Sequence, residues 1–261
     1  MHAHHQDVFP VMDIVIVLIV VLLIVAYLYA ALRQTQEWSL FKIVSWIAGM
    51  LCGLVVMVGP LAEQMHHHFV AHMYGHLLLG MLAPLLLVLA TPITLLFRTL
   101  PAQQGRRISK LLGSRYVRLV THPVVALILN TGGLWLLYRT DLFMLMHHYP
   151  VLHYLIHFHI FMAGYLLTSV MLEIEPTRHP YSFKYRSIVM IVSIALHQIL
   201  SKSFYPYPPA GVSTEQSQQG AMVMYYGGDI IELVIIYMMC LSWYRAVRPR
   251  RKKDDIQLNI I

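Results

Sequence analysis

His68, His72 and His76 stand four residues apart, a spacing that stacks three imidazoles along one face of a helix. His153 and His157 repeat the spacing in a later apolar stretch, and His197 adds one imidazole in a third. Two facing helices carrying such pairs supply enough nitrogen donors for a three- or four-coordinate metal ion between them. Imidazole serves copper, zinc, iron and nickel, and thioether sulfur shifts the preference towards Cu(I). Met73 follows the first donor, and Met222 and Met224 open the last apolar run, so copper is favoured over zinc. The expected ligands are His72, His76, His153 and His157, with His197 and Met222 as additions. A lone imidazole such as His148 or His159 is better read as a hydrogen-bonded filler. The terminal MHAHH and the run His66, His67, His68 fit loose metal collection and solvated polar tips equally well.

Asp229 and Glu232 lie three residues apart inside the last apolar run. Carboxylates at that depth are costly and are expected to face the interior of a bundle. With Met222 and Tyr226 they form roughly one helical stripe. They are candidates for orienting metal-bound imidazoles from behind or for accepting protons. A hydrogen-bond network that only holds helices together is the alternative.

The elements that position these residues are membrane helices. Charged residues make up 12% of the chain and hydrophobic residues 58%, a balance no soluble core uses. Seven apolar runs read as spans, several of them reaching the roughly 17 to 25 residues that cross a bilayer: Asp13–Leu32, Phe41–Val58, Phe69–Phe97, Pro123–Tyr138, Val151–Leu172, Ser187–Phe204 and Gly220–Trp243. All should be helical, because isolated strands leave backbone polar groups unsatisfied in lipid. The third run contains Pro84 and Pro92, so a kink or a neighbouring helix must absorb the freed carbonyls. The expected architecture is an all-α polytopic bundle, with a His-rich extracytoplasmic N-terminus over 1–12, a seven-helix domain over 13–244 and a basic cytoplasmic tail over 245–261.

Charge sets the orientation. With the N-terminus outside and the C-terminus in the cytoplasm, 17 of the 19 Lys and Arg residues fall on the inner side, leaving only Arg139 and Lys202 outside. The same topology puts 14 of the 16 histidines outside or in the outer half of a span, with His122 and His179 as the exceptions. The net charge of +7 is thereby explained by topology, and nucleic acid is not an expected partner. The tail RAVRPRRKK reads as an anchor on anionic membrane lipid. Cys52 and Cys240 lie far apart in apolar runs, which argues against a disulfide or a thiolate metal site. The first run is too long for a signal peptide and lacks a preceding basic residue, so it is expected to remain as a span. The loop from Ser201 to Gln219 reads as a lid or a connector.

The run from His72 to Leu85, His-Met-Tyr-Gly-His-Leu-Leu-Leu-Gly-Met-Leu-Ala-Pro-Leu, resembles the signature of the CtaG-type cytochrome c oxidase assembly factors of bacteria. Ala90 to Leu95 continues it, and His153 to His157, His197 and the segment Tyr226 to Glu232 add looser matches, the last with local departures. The resemblance extends from about Leu51 to Tyr244, and the histidine-rich N-terminus lies outside it. It implies a multi-pass protein of the bacterial cytoplasmic membrane, not an enzyme, that supports the copper site of haem–copper oxidase, with oxidase subunits as partners. A one-span copper chaperone with cysteine ligands shares the family's name, and its mechanism does not transfer here. The alternative function class is a haem-binding membrane electron carrier or oxidoreductase, since histidines on facing helices also ligate haem iron.

Overall fold

The computed structural model describes residues 8–248, with side chains from residue 11 onward. Residues 1–7 and 249–261, which hold most of the expected His-rich N-terminus and basic tail, lie outside the described residues. The helices are α1 (Val8–Leu32), α2 (Leu40–Met57) and the short α3 (Pro60–His67), then α4 (Phe69–Thr99). Two short helices follow, α5 (Ala102–Leu112) and α6 (Arg115–Val120), and then α7 (Pro123–Arg139). After these come α8 (Leu142–His148), α9 (Pro150–Leu172), α10 (Phe183–Ser203) and α11 (Thr214–Val247). Among the described residues, six helices are long and apolar enough to cross a membrane, and α7 is a shorter apolar one. At 1.5 Å per residue, α7 reaches about 25 Å, just short of a typical hydrocarbon core. The chain is therefore an all-α multi-pass membrane protein, and each expected span coincides with a helix. The inner segment expected over 98–122 is not a plain loop. It folds into α5 and α6, which carry Arg106, Arg107, Lys110, Arg115 and Arg118.

Helix α4 is the hub, packed by α2, α9 and α11, whereas α1 touches chiefly α2. Its most apolar stretch is 56% buried, against 6% for α1. α1 is also the more apolar of the two, with mean hydropathy 3.2 against 2.2, so burial and composition together separate the helix that organises the core from the one suited to lie against acyl chains.

The two prolines of α4 are absorbed in different ways. Pro84 has no N–H to give the Gly80 carbonyl in α-helical register. The helix widens into a π turn over Leu78–Leu82, and α9 closes over the Gly80 carbonyl at Gly164, where a Cβ would overlap that oxygen. Before Pro92 the chain breaks at Thr91, which adopts φ 51°. The helix restarts with its amides capped by Glu175 from the α9–α10 loop, which accepts from Ile93 N at 2.8 Å and Thr94 N at 2.9 Å. A carboxylate there complements the helix N-terminus.

Contacts between loops define two ends of the bundle. At one end Gln34 bonds Thr99, Arg178 bonds Ser109, Glu175 caps α4 and Phe183 stacks on Trp243. At the other, Gln216 accepts from Phe69 N at 2.8 Å, and His66 lies against His153. The basic segments thus gather at the end opposite the clustered histidines. With the native Cys52 and Cys240 replaced, Arg107→Cys is expected to resist an impermeant thiol reagent in intact cells, and Gln218→Cys to react. Labelling at position 107 without labelling at 218 would reverse the orientation read from charge.

Candidate metal centre

Five imidazoles meet at the histidine end. His153 and His157, one turn apart on α9, have ring centres 4.2 Å apart. His66 at the end of α3 stacks on His153 at 4.8 Å, and His147 from α8 lies 5.9 Å from His66. His72 on α4 closes the group at 6.0 Å from His157 and 6.4 Å from His147. Above them a cavity of about 350 Å³ is lined by His66, His67, His68, His147 and His148, with Gln216 at its edge.

Backbone bonds set the tautomers. His157 Nδ1 lies 2.9 Å from the His153 carbonyl, and His147 Nδ1 lies 2.8 Å from the Phe143 carbonyl. A carbonyl only accepts, so both rings carry the proton on Nδ1 and keep the Nε2 lone pair free. Metal-binding histidines use this arrangement, with the remote nitrogen donating to a fixed acceptor. His72 differs: its Nε2 is paired with the Tyr138 hydroxyl at 3.0 Å, and its ring is walled by Phe143. His66, outside the spans, is pushed below its ordinary value of 6.5, by burial first and then by His147 and His67.

The single four-histidine centre expected from the i, i+4 pairs is divided. Residues four apart on a helix diverge by about 40° (3.6 residues per turn) and sit a turn apart in depth. Across this offset His72 meets α8 and α9, while His76 meets α10, its ring 6.1 Å from that of His197. His197 Nδ1 is 3.4 Å from Glu232 Oε1, and all three side chains are buried. Among the described residues, no three His, Cys, Asp or Glu side chains present donors to one metal position. The imidazoles are arranged as neighbouring pairs on two tiers.

The expected stripe on α11 also splits. Met222 is 44% exposed and lines an outward recess with Lys202, Tyr205 and Tyr226, away from the imidazoles. Met73 and Met224 are fully buried in the apolar cluster around Phe69 and Phe204. Asp229 is half-buried at the α10–α11 seam and accepts a hydrogen bond from Gln198. Of the two acids, Glu232 alone reaches the imidazoles. Three residues on, Glu232 lies about 60° round the helix from Asp229 and about 80° from Met222, which is why a loose stripe in sequence becomes two faces in space.

Two participants were not legible in the sequence. His147 belongs to the His147–His148 pair that ends α8 before Pro150, and His66 belongs to a polar run beside α4. The fold-back of α8 onto α9 places His147, and a sequence offers no spacing rule for that. Conversely, His159 is the hydrogen-bonded filler expected of it. Its Nε2 donates to the Leu129 carbonyl at 3.0 Å, in the π turn of α7.

A polytopic helical bundle with histidines on two tiers at one end defines a multi-pass membrane protein with candidate metal-handling chemistry. The chain belongs to the family of cytochrome c oxidase caa3 assembly factors (Caa3_CtaG), which it matches over residues 25–246. No curated protein and no solved structure matches it.

Proposed function

We propose that this protein supports formation of the copper site of a haem–copper cytochrome c oxidase in the bacterial cytoplasmic membrane, capturing copper at its histidine end. The family's described role is assembly, so the protein acts on oxidase subunits as a non-enzymatic factor. Copper is its cargo. The observation that carries the copper reading is the upper tier: His66, His72, His147, His153 and His157 come together from four helices. At least two of them hold Nε2 lone pairs ready by carbonyl bonds from Nδ1. Nitrogen donors of this kind suit copper, and rings 4.2 to 6.4 Å apart would converge on a common ion through side-chain rotation on binding. His197 and His76 form the lower tier. Met222 is not among the donors in this reading.

The haem alternative needs a planar slot beside the imidazoles. The cavity between His76 and His197, about 30 Å³, has room for an ion and not for a macrocycle; at the wider histidine-lined cavity a Soret band in the purified protein would favour haem over copper. The test is cellular: oxidase isolated from cells lacking this chain is expected to be deficient in copper while keeping its haem, and the wild-type chain restores it. Fully metallated oxidase from the deleted strain would remove the assembly role.

A further inference from the structure

The lower tier has a character of its own. A cavity of about 30 Å³ deep in the bundle is lined by His76, His197, Glu232, Met81 and the hydroxyls of Thr131 and Ser193. Both ring nitrogens of His76 and of His197 are buried without a hydrogen-bond partner, as is Oε2 of Glu232. Unpaired polar atoms at this depth are costly, and a guest that binds several of them at once removes that cost.

The geometry names the guest. Two imidazoles bound through nitrogen on opposite sides of one ion have ring centres roughly 6 Å apart, given metal–nitrogen distances of about 2.0–2.1 Å. The His76 and His197 ring centres are 6.1 Å apart. Both rings occupy space left by glycines. A Cβ on Gly80 would come within 3.3 Å of His76 Nδ1, and one on Gly228 within 2.6 Å of His197 Cε1. The π turn over Leu78–Leu82 matters as well. Met81 lies on that turn and lines the same cavity as His76. Two imidazoles and a thioether form a soft, low-coordinate donor set, which selects Cu(I). The carboxylate of Glu232 beside His197 supplies counter-charge to a bound cation, which a bilayer interior requires.

Resting on the copper reading above, we propose that this cavity is a separate monovalent-copper station, with His76, His197 and Met81 as donors and Glu232 as counter-charge. It would receive ions from the upper histidines one turn away.

The test uses the full chain purified in detergent and loaded with Cu(I) under anaerobic, reducing conditions against a chromophoric Cu(I) chelator, with X-ray absorption of the bound metal. Wild type is expected to hold one Cu(I) with a sulfur neighbour. His197→Ala should lose that equivalent, and His153→Ala should keep it. Met81→Leu preserves side-chain volume, so it should keep the fold while removing the sulfur signal. Glu232→Gln should weaken this equivalent by roughly 10- to 100-fold. Nitrogen-only copper in wild type, undiminished copper in His197→Ala, or loss of the sulfur-bearing equivalent in His153→Ala would overturn the separate station while leaving the copper reading intact. No Cu(I) bound by wild type at all would overturn the copper reading itself.

Discussion

Protein carrying both His153→Ala and His157→Ala is expected to bind copper at its upper tier at least about 100-fold more weakly than wild type. Even outer partners of metal ligands contribute roughly 10- to 100-fold, and this change removes two donors whose rings lie 4.2 Å apart. The fold should survive. His153 is half-buried beside the mouth cavity, and the bond from His157 Nδ1 to the His153 carbonyl is one neutral hydrogen bond, worth about 1 kcal/mol. The comparison is a copper titration beside a thermal unfolding curve of the same preparation. Unchanged affinity with an unchanged melt would remove His153 and His157 from the site.

The second large effect is structural. Gly164→Leu is expected to prevent α9 from closing on α4, because a Cβ alone would overlap the Gly80 carbonyl, and Pro84 lies 3.2 Å from the same position. Overpacking a fitted interface costs about 1–3 kcal/mol, occasionally more. Here the obstacle is backbone, which has no rotamer to yield. The protein should fail to accumulate or should melt far below wild type in size-exclusion profiles of heated samples, with Gly164→Ala in between. Gly132→Ala, where a Cβ would make only an ordinary contact 3.6 Å from Ile128, is the control and should melt like wild type. A wild-type melt for Gly164→Leu would show that α9 does not depend on this close approach.

The spans were legible because lipid imposes a length and forbids unpaired backbone, so hydropathy alone locates each helix to within a few residues. The sequence also signalled that Pro84 needed help, but not its form. The π turn and Gly164 are a response shared by two helices more than eighty residues apart in the chain. The candidate site was partly legible for a related reason. The i, i+4 spacing of His72 and His76, and of His153 and His157, is a property of one helix and survives folding. What stands opposite each ring depends on helix crossing, which spacing does not encode. Hence the ring of His76 stands beside that of His197, Met222 faces outward, and His147 joins the cluster through the turn at Pro150.

Elemental analysis of the purified wild-type chain from copper-replete cells tests the central claim most directly. Stoichiometric copper, lowered by the upper tier's share on His153→Ala/His157→Ala and accompanied by no haem absorption, is the predicted result. A preparation that carries haem iron, or that contains no copper even after loading, would contradict it.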